Sequence, residues 1–159
     1  MDSDVTGLFE GPLFLFDDWP TGDVPDVAAG VYTIFEGSTF LYVGMSGRAA
    51  TGADISEATQ RGKRKFLWTR LNAHASGRRS GDQFCVYVAD RLVLPILSAD
   101  DRTAISEGDR SFDSFVRSYV RSHLSFRWMA TVDGAQALEL EDDVRRGHHG
   151  PQPLLNPLV

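Results

Sequence analysis

The sequence predicts an α/β domain in which a small central antiparallel sheet is flanked by helices. Three observations lead there. Residues 30–44, GVYTIFEGSTFLYVG, set two runs rich in β-branched and aromatic residues, 31–35 and 39–43, around Glu36-Gly37-Ser38, the pattern of an antiparallel hairpin. Residues 125–131 alternate Phe126, Trp128 and Ala130 against Arg127 and Met129, which is the period of a third strand for the same sheet. Segments 112–124 and 135–146 instead repeat apolar residues at helical spacing. Apolar side chains occur on both faces of the hairpin, so helices are expected to cover both sides of the sheet.

A chain of 159 residues is one domain by size, with room for a real core. No apolar run is long enough to cross a bilayer, and no basic region precedes the short FLF segment, so a signal peptide is not expected. Cys85 is the only cysteine, which excludes an internal disulfide and fits a reducing, cytoplasmic setting.

Residues 1–29 carry seven acids and neither Lys nor Arg. They mix Gly, Pro and Asp with two apolar patches, around LFEGPLFLF and Trp19, and read as an acidic arm that packs on the domain formed by 30–159. The arm either stays off the substrate path or masks a basic surface. That surface is 61–81, with seven Lys or Arg and no acid, so the overall charge of −6 conceals a segregated balance that suits phosphate contacts.

The hairpin admits two registers. A three-residue loop at 36–38 sets Tyr32 directly opposite Tyr42, both on one face with Ile34 and Phe40. A two-residue Gly37-Ser38 loop puts the tyrosines on opposite faces. Residues 46–62 are rich in Gly, Ala, Ser and Thr, with Arg48 the only cation before Arg61, and read as a long loop that is mobile or orders on substrate.

From 63 to 76 the pattern is helical, with Leu67, Trp68, Leu71 and Ala75 on one stripe and Gly77 as C-cap. Arg70 and His74, four residues apart, lie on the margin of that stripe, where they are offered to a cleft or to solvent. Two strands are expected at 83–89 and 91–94, with Cys85 a small buried hydrophobe in the first, so that 83–108 forms a strand-helix insertion. Ser98 and Asp101 start a short helix that ends before Gly108. Ser111 caps a stronger one, 112–124, with Phe112, Phe115, Val116, Tyr119 and Val120 on its core stripe.

Asp133-Gly134 turns into the helix 135–146. At about 100° per residue, Ala137, Leu138, Leu140 and Val144 mark an apolar arc, Glu141 falls inside it, and Glu139, Asp142 and Asp143 fall outside. A carboxylate on a buried face must be paired, protonated or bound to a metal. Glu141 is therefore a candidate metal ligand, with Arg145 the alternative partner. His148 and His149 read as linker. Pro151 and Pro153 stiffen the tail and fix the approach of Leu154, Leu155 and Asn156.

GVY and YVG, separated by nine residues, together with Arg70, His74, Glu141 and Asn156 in that order, resemble the GIY-YIG nuclease superfamily across residues 30–156. The resemblance implies a metal-dependent endonuclease that hydrolyses phosphodiester bonds, with DNA favoured over RNA. It implies Mg²⁺ or Mn²⁺ held by Glu141, Arg70 stabilising the charge on the phosphoryl group, and Tyr32 taking a proton from water. That last role requires cations to lower a phenol pKa near 10. Tyr42, His74 and Asn156 would orient these groups, with His74 an alternative base. Arg48, Arg61, Lys63, Arg64, Lys65, Arg78 and Arg79 are the expected nucleic-acid contacts. Met45 departs from the lysine found in the excinuclease relatives. A nucleic-acid binding module without cleavage is the alternative function.

Overall fold

A computed structural model describes residues 4–156. Among them the chain is an α/β fold whose sheet has the strand order β1 (Phe14–Leu15), β5 (Leu124–Thr131), β2 (Val27–Glu36), β3 (Thr39–Ser46), with each neighbouring pair antiparallel. A two-residue β4 (Lys65–Phe66) runs parallel to the start of β2. The expected third antiparallel strand joins the hairpin, and it pairs with β2 on the side away from β3.

Both faces are covered. One face carries Tyr32, Ile34, Leu41 and Phe126, against Leu71 and Ala75 of α3 (Leu67–Ser76), Phe84 and Val88 of α4 (Gln83–Val88), and Val116 and Val120 of α6 (Phe112–His123). The other carries Val31, Phe35, Phe40 and Val43, against Leu8 of α1 (Thr6–Phe9) and Ala137, Leu140 and Val144 of α7 (Gly134–Arg145). Each large apolar side chain withdrawn this fully from water contributes about 1.5–3 kcal/mol before the entropy of ordering it is set against the gain.

The hairpin register differs from both expected pairings. The turn is the two-residue Gly37-Ser38, so Glu36 faces Thr39 and Phe35 faces Phe40, but Leu41 is then an extra residue and a β-bulge shifts all pairs beyond it. Ile34 faces Tyr42, and Tyr32 faces Gly44. The tyrosines share a face as diagonal rather than direct neighbours, with ring centroids 6.4 Å apart. Phe40, expected beside them, packs on the opposite face with Phe35.

Three further elements depart from the sequence reading. Residues 46–62 contain a helix, α2 (Gly52–Gln60), started by a reciprocal capping box between Thr51 and Asp54 that outweighs a composition poor in helix formers. The helix expected from 63 begins only at Leu67, because Phe66 adopts φ 61° and ψ −110° and breaks the spiral. Residues 83–96 form no strands. They make α4, then a π turn over Ala89–Val93 and a 3₁₀ turn over Leu94–Ile96, so the insertion is wholly helical and Cys85 lies on a helix. Its continuous apolar run fits a buried strand and a buried helix equally by period, and the cap from Asp82 decides the outcome.

α5 (Ala99–Ser106) and α6 start at their expected caps, Ser98 and Ser111, while α7 starts one residue earlier than expected, with Asp133 of the turn serving as its N-cap. The arm is built into the domain. It supplies β1 to the sheet edge, buries Leu8, Phe16 and Trp19, and ties the Trp19 indole N–H to Asn72 Oδ1 at 2.9 Å. Asp26 is its one acid, among the described residues, that pairs with the basic segment, 3.4 Å from Arg64. No helix among the described residues is long and apolar enough to cross a membrane.

Candidate active site

Tyr32 and Tyr42 project from the hairpin toward α3, and α7 closes on the hairpin from the other side. A cavity of about 400 Å³ opens between them, with Tyr32, Tyr42, Arg70, His74 and Glu141 on its wall and Arg48, Asp82 and Gln83 among the other lining residues. Five of the six catalytic residues expected from sequence thus line one space.

Gly44 makes room for the buried Tyr32 ring. A Cβ there would overlap the Tyr32 phenol, so the side chain opposite Tyr32 has to be absent. The Tyr32 hydroxyl lies 2.7 Å from His74 Nε2, and His74 Nδ1 lies 2.6 Å from Asp82 Oδ2. An ionised carboxylate only accepts, so Nδ1 carries the proton toward Asp82 and Nε2 accepts from the Tyr32 hydroxyl. Asp82 also caps α4, accepting from the Cys85 N–H at 3.4 Å, which fixes the carboxylate that orients the imidazole.

His74 lies fully inside the fold instead of on a helix margin, and burial holds its pKa below the ordinary 6.5 against the opposing pull of Asp82. Burial pushes the Asp82 carboxyl up, but the hydrogen bonds from His74 and Cys85 outweigh it and keep the group ionised. Tyr32 goes the opposite way from the expected activation: burial and the neighbouring Tyr42 raise its pKa well above 10, and Arg70 offsets this only in part. Tyr32 is therefore a neutral phenol poised to donate to His74, and no standing phenolate forms.

Glu141 stands at the cavity wall with its side chain 17% exposed, whereas Glu139 is exposed. Burial raises the Glu141 pKa, and Arg145 and Arg48 oppose the shift. The nearest Arg145 nitrogen is 3.9 Å away, while that guanidinium bonds Asp142 directly. A half-buried carboxylate on the wall of this cavity, with Arg145 and Arg48 as its neighbouring cations, is an oxygen donor that could hold a divalent ion.

His74, Asp82 and Cys85 also cluster, with ligating atoms within 4.8 Å of one another. His74 Nδ1 and Asp82 Oδ2 are in direct hydrogen-bond contact, closer than the ~3.3 Å that separates two ligands on a tetrahedral ion. The cluster is a hydrogen-bonded one.

Asn156 does not reach the tyrosines. Its amide accepts from the Val43 N–H and donates to the Val43 carbonyl, both at 2.8 Å, and so pins the strand between Tyr42 and Gly44. The basic residues divide into groups. Arg48, Arg61, Lys63 and Lys65 line a second cleft of about 420 Å³ beside the first. Arg64 lies over the Trp68 ring, and Arg79 is tied to Asp113 at 2.6 Å and stacked on Phe112. Arg78 is exposed beyond the C-cap of α3.

Asp82 and Gln83 were not legible as site residues. The available signal was the N-cap pattern, an Asp just before an apolar run, which a strand reading of 83–89 conceals. Compared with known proteins, the chain matches no family model, no curated protein and no solved structure.

Proposed function

We propose that the chain is a metal-dependent endonuclease that hydrolyses phosphodiester bonds of nucleic acid, DNA in preference to RNA, and that it is related to the GIY-YIG superfamily. The observation that carries this reading is the Tyr32–His74–Asp82 chain ending in the cavity that Arg70 and Glu141 line. Phosphodiester hydrolysis needs a deprotonated water, neutralised phosphoryl oxygens and help for the leaving oxygen.

Tyr32 and His74 supply the first by relay. A water on the phenol passes its proton to Tyr32 Oη as the phenol proton moves to His74 Nε2, leaving an imidazolium that the Asp82 carboxylate stabilises. The phenol is neutral before and after, so its raised pKa is no obstacle. Arg70 meets the charge that builds on the phosphoryl oxygens, and Tyr42 packs beside Tyr32 to hold its ring. Glu141 would hold the Mg²⁺ or Mn²⁺, which when bound supplies a Lewis acid at the phosphate and the leaving oxygen. Asn156 acts at one remove, by fixing the strand that carries Tyr42 and Gly44.

The test is incubation with Mg²⁺ or Mn²⁺ and end-labelled single-stranded, duplex, branched and RNA substrates, where metal-dependent cleavage is the expected result. Binding without cleavage of any of the four would leave a non-cleaving module. The relay requires neutral His74, which predominates above its folded pKa, and burial places that pKa below 6.5. The acid limb of kcat/KM is therefore expected below about pH 6.5; a limb above it would remove His74 from the relay. Substrate binding rests on the cations of the second cleft. Lys63→Gln with Lys65→Gln is expected to flatten log affinity against log salt by roughly two units on a duplex, at about 0.9 per phosphate. An unchanged slope would take this surface out of the binding track.

A further inference from the structure

We propose that the cleft between α2 and β4 is a nucleotide subsite, taking the nucleotide next to the scissile phosphate with its phosphate toward Arg48 and Lys63 and its base against Phe66. The inference rests on the nuclease reading and adds to it where the substrate runs after leaving the catalytic cavity.

The two cavities meet at Gly47 and Arg48, which line both. Their junction is rigid. The Ala50 N–H bonds the Gly47 carbonyl at 2.8 Å, and the Gly134 N–H at the start of α7 bonds the Ala50 carbonyl at 2.9 Å. Gly134 presses so closely on Gly47 and Arg48 that a Cβ would overlap their backbone. Arg48 is thereby held at the passage between the cavities.

The volume of about 420 Å³ is of the size that takes a small ligand. Its lining is chemically divided. Lys63 enters no ion pair among the described residues, whereas Arg61 is engaged by Glu57 at 2.7 Å. The acids in the cleft are Asp54 and Glu57, and they repel a phosphate, which leaves the Arg48 and Lys63 side for it. Asp54 uses only Oδ2 for its cap with Thr51, and Glu57 only Oε1 for Arg61, so each retains a carboxylate oxygen able to accept from a base amino group.

Phe66 supplies the apolar wall, with the Lys65 ammonium 5.2 Å from its ring centroid. Its backbone, at φ 61°, lies where a bulky residue is an outlier and glycine is at ease. An aromatic ring stands at this position against the backbone preference, on the wall of the cleft where a base could stack on it.

That conformation provides a clean variant, since Phe66→Gly relieves the backbone while deleting the ring. Ala49→Trp, at an exposed residue of the lining, fills the cleft without disturbing the core. The probe is 2′-deoxyadenosine 5′-monophosphate titrated into the whole protein and followed by amide chemical shifts, with inorganic phosphate alongside. The expected result is perturbation of residues 47–66, tighter binding of the nucleotide than of phosphate, and a loss of at least tenfold in both variants. Equal affinity for nucleotide and phosphate, shifts confined to the catalytic cavity, or parental binding in both variants would overturn the subsite. Cleavage of the labelled panel together with any of those results leaves the nuclease reading standing. Nucleotide binding lost in both variants supports the subsite even where no substrate is cut, the result that removes the nuclease reading alone.

Discussion

Glu141→Gln is expected to lower metal-dependent cleavage by roughly a hundredfold or more while leaving the fold and substrate binding in place. The side chain sits among Ala137, Leu140 and Val144 on the buried side of α7, and burial already disfavours its charged form. A neutral amide of the same shape is therefore expected to keep the fold, but it removes the carboxylate that would hold the ion on the proposed reading. On the proposed reading, substrate affinity would rest on Lys63 and Lys65 of the second cleft, which Glu141 does not line. Glu139→Gln, on the exposed side of the same helix, is the matched control and should cleave like the parent. The comparison needs cleavage rates at saturating Mg²⁺ beside thermal denaturation curves. Parental cleavage by Glu141→Gln, or inactivity of Glu139→Gln, would show that the ion is held elsewhere.

Gly44→Ala should be strongly damaging to cleavage, because its added methyl strikes the site directly. The added Cβ falls on the Tyr32 phenol, whose ring is bounded by His74 and Tyr42 and has little room to move. Overpacking of this kind costs about 1–3 kcal/mol. The displacement also breaks the 2.7 Å contact from the phenol to His74 Nε2, and losing a positioned proton acceptor lowers rates by about 10²–10⁴. Gly52→Ala, at the first residue of α2 with open space around it, controls for glycine replacement and should be silent. Cleavage and melting temperature of the two variants, measured together, decide the matter. A fully active Gly44→Ala protein would mean that Tyr32 takes no part in the reaction.

Where periodicity and capping agreed, sequence and structure coincide. α6 begins at its expected cap Ser111, α7 begins one residue before its expected start, and β5 pairs with β2 along its whole length. Glu141 falls where the helix phase puts it, because an amphipathic helix on a sheet has one way to bury its apolar arc. The hairpin was legible as a hairpin but not in register. One extra residue, Leu41, turns a pairing that would separate the tyrosines into one that unites them, and no local propensity announces a bulge.

The run from Phe84 to Val93 was opaque for a different reason. Its first six residues, Phe84 to Ala89, are apolar throughout and lack the polar alternation that distinguishes helix from strand, and Asp82 was lost with them. His74 and Asp82 therefore became a pair only in three dimensions. Burial of Tyr32 itself also reversed its expected electrostatics, since desolvation of a phenol exceeds the help of one exposed arginine.

The most direct test is the single-turnover cleavage rate of the parent against Tyr32→Phe, with substrate affinity measured on the same preparations. One hydroxyl separates the two proteins. The relay predicts that the parent cuts a nucleic acid in Mg²⁺ or Mn²⁺, and that Tyr32→Phe cuts it slower by at least about a hundredfold at unchanged Kd. Equal rates for the two proteins, or no cleavage by the parent on any of the four substrates, would contradict it.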